Sequence, residues 1–335
     1  MIYQKNLSRN FTNFTTRKII VMNKLYPLKF KPVFKEKIWG GEKIRTELGK
    51  DFSPLQNCGE VWVVSGVEGN QTVIENGFLA GNELNELVEV YMDDLVGGEV
   101  FDKHKNEFPL LIKFIDAKDW LSIQVHPDDE LAAKRKIGNG KTEMWYIIDA
   151  DKDSQLISGF NRKIDQNTYL KYLEEKKIKE IMNFEDVKPG DVFFMPAGRV
   201  HALGPGILLA EIQQTSDTTY RIYDWDRTDE QGNSRELHVK EALEAIDYDV
   251  HDDYKTHYNI RFNETNKVVG CPYFTTSIIE FDQGLKKSLE ELDSFVIYIC
   301  VDGGVELVDE NDFSVQINKG DAVLVPAMMQ RIVLK

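Results

Sequence analysis

The sequence predicts a mainly β protein built from two jelly-roll β-barrels with a few helical insertions. Three observations lead there. From Tyr26 onward, short runs rich in Val, Ile, Phe and Tyr are separated by Gly, Asp, Asn and Pro, which is the punctuation of strands and turns. Apolar residues at helical spacing occur in only a few places. One strand–turn–strand pattern appears twice.

The strand candidates are Glu60–Ser65 (EVWVVS), 110–115 (LLIKFI), 144–148, Val192–Met195 and 295–301. Three stretches are spaced as helices. Residues 128–136 follow Pro127 and begin with acidic residues, which suits a helix N-terminus. Residues 165–182 are charged and amphipathic, and 236–246 (ELHVKEALEAI) form the third candidate.

The repeat fixes the architecture. Residues 188–196 read KPGDVFFMP and 319–326 read KGDAVLVP, each a Gly-Asp turn into a strand ending at Pro. The segments before them, 143–159 and 294–308, are each a strand, a Gly/Asp turn and another strand. This is the two-motif arrangement of a cupin-type jelly roll, present twice. The copies differ in chemistry. His201 follows the first Pro, whereas Met328, Met329 and Gln330 follow the second. The expected division is an N-terminal extension at 1–21, a metal-binding catalytic unit at 22–250 and a second, degenerate unit without metal at 251–335. The extension contains Lys5, Arg9, Arg17 and Lys18 but no acid. One reading is an organelle transit peptide; with no long apolar h-region and no clear amphipathic helix, an upstream extension or an over-early start before Met22 is the reading preferred.

Composition removes several function classes. The net charge of −15 repels nucleic acid and anionic membranes. No run approaches the roughly 20 apolar residues of a membrane helix. Three distant cysteines, Cys58, Cys271 and Cys300, make neither a disulfide framework nor a thiolate metal site. They read as thiols in a reducing cytoplasm. A monomer and a homodimer both fit the chain.

The chemistry concentrates in four segments. In a strand, residues i and i+2 face one way, so Gln124 and His126 point together into the barrel. Glu143 opens the next strong strand, and His201 follows the Pro196 turn. Two imidazoles, a carboxylate and an amide oxygen, without thiolate, suit Zn2+ with an open position, and also Fe2+, Mn2+ or Co2+. Ser122 and Lys141 each lie two residues before a proposed ligand, on its face. Lys113 is a single cation in an apolar strand and needs a charged partner. Lys113, Ser122 and Lys141 are therefore candidates for an anion site in an acidic protein. Arg221, in an aromatic and charged run at 213–227, has the chemistry to stabilise a developing enediolate, with a salt bridge to Asp217 or Asp224 as the alternative. His104, His238, His251 and His257 sit among polar residues and read as surface positions.

These segments resemble the type I mannose-6-phosphate isomerases in their short bacterial form. The motifs that carry the resemblance are IWGG (38–41), LLIKFIDAKDWLSIQVHPDDELA (110–132), GKTEMWYII (140–148) and PAGRVHALGPGILLAEIQQTSDTTYRIYDWDR (196–227). The resemblance implies one Zn2+ per chain held by Gln124, His126, Glu143 and His201. It implies phosphate contacts near Lys113, Ser122 and Lys141, and Arg221 as the catalytic arginine. The implied reaction interconverts mannose 6-phosphate and fructose 6-phosphate through a cis-enediol, with Glu211 and a water at the metal both open as the proton carrier. Two rivals share the donor set, an Fe2+ dioxygenase and a sugar-binding cupin without turnover. The Lys, Ser and Arg candidates speak against the first, and the complete ligand set against the second.

Overall fold

The computed structural model describes residues 24–228 and 231–335. The expectations for 1–21 lie outside them. The chain is mainly β, as the repeat predicts, with two jelly-roll units and helical insertions. In the first unit a six-stranded sheet runs Val192–Met195, Glu143–Ala150, Ile207–Gln214, Leu110–Ala117, Glu60–Ser65, Val33–Lys35. It faces a five-stranded sheet in the order Tyr220–Tyr223, Ile123–Val125, His201–Leu203, Gln155–Phe160, Met182–Asp186. The pairings between named neighbours are antiparallel.

Strand alternation divides the side chains. On Leu110–Ala117, Lys113 and Ile115 point between the sheets, while Ile112 and Phe114 point outward into the largest core. That core also takes Val61 and Val64 from the first unit and Leu307, Ile317, Val323 and Leu324 from the second. The six-stranded sheet is thus buried on both faces, so its strands read as continuous apolar runs. Helices Gln166–Glu174 and Val239–Ala245 flank the outer face of the five-stranded sheet, with Tyr169 and Ala242 packed beside Ile123 and Val125. Between the sheets, Ile147, Leu203, Leu209 and Phe193 fill one end. The other end holds the charged and ligating side chains.

The strand bonding crosses the division expected near residue 250. Leu28–Lys31 belongs to the first stretch of chain but pairs with Ala322–Val325, Leu28 opposite Leu324. Lys29 and Lys50 both reach Asp321, at 2.9 and 2.7 Å.

Three helical features depart from the sequence reading. Leu84–Val96 is a helix opened by a capping box between Glu83 and Glu86 and kinked at Met92, and Gly98–His104 follows it. The stretch 165–182 is not one helix. It is Gln166–Glu174 and a 3-10 turn at Ile178–Ile181, separated by Lys176 at φ 58°. The IWGG motif is explained by close approach. A Cβ on Gly41 would meet the Asp116 carboxylate at 2.6 Å, and that carboxylate accepts the Lys43 N–H.

Candidate metal centre

The donors come from both sheets. His201 opens its strand in register with Gln124, and Gln124 is in register with Arg221 on the next strand. Paired residues share a face, so Arg221, Gln124 and His201 form a row across the five-stranded sheet. His126 follows the end of the Ile123–Val125 strand. Glu143 comes from the facing sheet, level with Gln213. One ligand atom from each of His126, Glu143 and His201 lies within 4.8 Å of the others.

All three are buried, and Glu143 is fully so. His126 Nδ1 faces the Thr218 carbonyl at 2.9 Å, and His201 Nδ1 faces the Arg199 carbonyl at 2.8 Å. Each imidazole therefore donates Nδ1–H to the backbone and turns a bare Nε2 inward, as metal-bound histidines do. Burial, aided by the Lys141 charge, holds both imidazoles well below their ordinary pKa and keeps them neutral. Neither Glu143 oxygen accepts an aligned hydrogen bond. A buried carboxylate without hydrogen-bond donors is costly. Two neutral imidazoles and such a carboxylate fit a divalent cation. In this structure the Lys141 ammonium lies among the same donors, 2.7 Å from Glu143 Oε2 and 2.9 Å from His126 Nε2. The Glu143 contact is an ion pair at short range, off the line of a hydrogen bond. The Gln124 amide reaches the same place, its Nε2 3.2 Å from His201 Nε2. Ser122 Oγ lies 3.5 Å from Gln124 Oε1.

A second charged group lies alongside. Lys113 Nζ is 2.7 Å from Glu211 Oε2 and 3.7 Å from Glu60 Oε2. Trp145 Nε1–H donates to Glu211 and Trp62 Nε1–H to Glu60, each at 2.8 Å. Lys37 closes on the other Glu60 oxygen at 3.1 Å. Burial alone would raise Glu211, but Lys113 and Lys141 outweigh it and hold the carboxyl below its usual range. Burial and the nearby Glu211 charge push Glu143 up, against the pull of Lys141. The sequence reading missed Glu60, Trp62, Trp145 and Lys37. The lone Lys113 in an apolar strand was the one signal that buried carboxylates stood opposite it.

The structure brings Gln124, His126, Glu143, His201, Ser122 and Lys141 together. Lys141 is buried rather than solvated. Lys113 also points inward, but its ammonium is engaged by carboxylates. Arg221 is half-buried on the same face as Gln124. Its Nη1 donates to the Glu236 carbonyl at 2.9 Å, and its Nε is buried without a partner. The Asp224 carboxylate considered as its partner is taken by Arg227 and Arg235. His238 is not idle: its Nδ1 accepts the Arg221 N–H, and its own N–H donates to the Arg221 carbonyl. Among the described residues, His126, Glu143 and His201 are the one group of three or more His, Cys, Asp or Glu donors that converges in this way.

Residues 27–152 match the family model for the phosphomannose isomerase type I catalytic domain, and 263–335 match that for the mannose-6-phosphate isomerase cupin domain. Mannose-6-phosphate isomerase ManA of Bacillus subtilis is 39% identical over 303 residues, 90% of this chain and 93% of that protein. The mannose-6-phosphate isomerase of Streptococcus mutans is 37% identical over 251 residues, 74% of this chain and 77% of that one. The crystal structure of the mannose 6-phosphate isomerase from Bacillus subtilis superposes with a TM-score of 0.83 at 34% identity, covering 92% of this chain and 96% of the other. A putative mannosephosphate isomerase from Archaeoglobus fulgidus shares the fold at 18% identity, with a TM-score of 0.73 over 93% and 95% of the two chains.

Proposed function

Because the chain belongs to the type I mannose-6-phosphate isomerases, we propose that its metal is one Zn2+ held by His126, Glu143, His201 and Gln124, and that the isomerisation runs through a cis-enediol. The observation that carries this reading is the set of three buried donors within 4.8 Å, with both Glu143 oxygens free of aligned hydrogen bonds. The donor set contains nitrogen and oxygen but no thiolate, which suits Zn2+ with an open position. The bound ion would supply Lewis-acid polarisation of the sugar oxygens at C1 and C2.

The remaining steps belong to the chain. Opened mannose 6-phosphate presents a carbonyl at C1 and a hydroxyl at C2; the proton on C2 moves to C1 and the hydroxyl proton moves from O2 to O1, which leaves the carbonyl at C2. Arg221, in register with Gln124, stabilises the negative charge that grows on the enediolate oxygen. Glu211 stands 2.7 Å from Lys113 Nζ and accepts the Trp145 Nε1–H. It serves as counter-ion to Lys113, whose own ammonium is occupied by that pairing. Lys141 is paired with Glu143 at the same distance, but a bound ion would take over that carboxylate, so we give the phosphosugar contacts to Lys141 and Ser122 and keep Lys113 as the charge behind them. The ammonium groups of Lys37, Lys113 and Lys141 balance the carboxylates of Glu60, Glu143 and Glu211. That leaves Arg221 and the metal as excess positive charge for a phosphate dianion and an enediolate. The three cysteines are free thiols, which supports placement in a reducing cytoplasm.

The test is to strip the metal with a chelator, restore single metals one at a time, and follow fructose 6-phosphate formation in a coupled assay. Turnover should return with Zn2+ at one ion per chain. Full turnover in the stripped protein would end the metal reading.

A further inference from the structure

The consecutive glutamines Gln213 and Gln214 have no part in the chemistry above, yet both are buried beside it. They end the strand Ile207–Gln214, so their side chains leave on opposite faces.

Gln213 is level with Glu143 on the neighbouring strand. Its Nε2 donates to the Gln214 carbonyl at 2.9 Å and to the Ser216 carbonyl at 2.6 Å. Two carbonyl acceptors fix the amide orientation, because only the NH2 end can donate. The turn that follows leads to Thr218, whose N–H reaches Ser216 Oγ at 3.4 Å and whose carbonyl faces His126 Nδ1 at 2.9 Å. Gln213 thus holds the turn that supplies the carbonyl orienting one imidazole.

Gln214 holds the other side. Its Oε1 accepts the Thr142 N–H at 2.8 Å, and its backbone N–H donates to the Thr142 carbonyl at 3.2 Å. Its Nε2 donates to Asp129 Oδ1 at 2.9 Å, and the same oxygen accepts the Gly140 N–H at 2.9 Å. Residues 140–142 are pinned immediately before Glu143. Gly140 is required there, since a Cβ would meet the Asp129 nitrogen at 2.5 Å.

We infer that Gln213 and Gln214 are paired positioning residues for the metal centre: Gln213 sets His126 through the Thr218 carbonyl, and Gln214 sets Glu143 through the backbone at Thr142. This rests on the metal reading given above. Groups that orient metal ligands typically account for about 10–100-fold in metal affinity or activity when removed.

The experiment uses the full chain and two single variants, Gln213→Leu and Gln214→Leu. Isosteric Gln213→Glu and Gln214→Glu stand in for either leucine form that does not fold. Each is stripped of metal and titrated with Zn2+ against a competing chelator, and the Co2+-loaded form is examined by visible absorption, which reports coordination geometry. Wild type serves as the control for the site itself. If wild type binds no ion, the metal reading fails and the positioning role falls with it. If wild type binds and the variants lose about 10–100-fold in Zn2+ affinity with altered Co2+ bands, the positioning role holds. If the variants melt earlier but bind Zn2+ as wild type does, with unchanged Co2+ bands, the glutamines only support the fold and the inference is overturned.

Discussion

Lys113→Met separates two roles for this lysine, anion contact and buried counter-ion. Lys113 is 7% exposed, with Glu211 at 2% and Glu60 at 9%. Its ammonium lies 2.7 Å from one carboxylate and 3.7 Å from the other. At an effective dielectric near 20, such separations give attractions of roughly 6 and roughly 4 kcal/mol. Desolvation takes much of this back, and the substitution recovers only the lysine's share, not that of the carboxylates left behind. Methionine keeps the length and removes the charge, leaving Glu211 buried against Trp145 without its cation. Removing one partner of a buried pair costs about 3–5 kcal/mol, a large share of the roughly 5–15 kcal/mol that holds a typical domain. Urea unfolding of the metal-free protein should show the midpoint of Lys113→Met falling accordingly. Lys113→Met with Glu211→Gln should regain a substantial part, because the second change removes the orphaned charge. If Lys113→Met unfolds like wild type while KM for mannose 6-phosphate rises strongly, the lysine serves the phosphate and the counter-ion argument is wrong.

Three further expectations follow from the site and the unit interface. His126→Ala and His201→Ala should each lose bound metal and turnover together, since few donors hold the ion; elemental analysis after dialysis checks this, and full occupancy with normal turnover contradicts it. Arg221→Ala should lower kcat by about 10²-fold or more with a smaller change in KM, whereas Lys141→Ala should raise KM more and discriminate less between mannose 6-phosphate and mannose; steady-state kinetics on both sugars decides, and a pure KM effect for Arg221→Ala would remove its transition-state role. Burial acts to raise the Asp321 carboxyl, but Lys50, the Asn318 N–H and Lys29 outweigh it and hold it below the ordinary range. A depressed folded pKa stabilises above the unfolded value near 3.9 and is lost as pH falls through the folded value. Asp321→Asn should therefore cost about 2 kcal/mol near pH 7 and progressively less below about pH 4; a difference in urea midpoint that does not change with pH would refute the ion-pair account.

The parts legible in the sequence were those written in local chemistry. Val192–Met195 was readable because Gly190-Asp191 and Pro196 bracket four apolar residues. Gln124, His126, Glu143 and His201 were readable because period-two spacing and motif position carry direction. The helix Leu84–Val96 was also in the sequence and was passed over. Leu84, Leu87, Val88, Tyr91 and Leu95 are its buried face at helical spacing, set in a stretch that otherwise reads as acidic surface. What no local pattern carried was partnership between distant strands. Glu60, Lys113 and Glu211 come from three strands of one sheet and pair only once the register is set. Likewise, Leu28–Lys31 gives no sign that its partner lies almost 300 residues on, at Ala322–Val325.

The repeat shows where that limit lies. Asp191 and Asp321 do the same structural work: each Oδ2 accepts a backbone N–H three residues before it, from Lys188 and from Asn318, and each takes an ammonium from a distant segment, Lys255 and Lys29. The glycines before them, Gly190 and Gly320, have φ of 88° and 85°, a conformation that glycine tolerates without strain. The glycine and the backbone N–H bonded to the aspartate need only neighbours in the chain, so that part of the turn stays visible in both copies. Ligand chemistry needs strands to converge. Glu143 pairs with Met195 in the first unit, and Val296 pairs with Val325 at the matching place in the second. His201 opens the strand five residues after Pro196, and Arg331 opens the strand five residues after Pro326. A valine and an exposed arginine offer a cation nothing. The second copy keeps the turn frame with other residues at these two places, and its apolar residues join the core that backs the six-stranded sheet carrying Glu143.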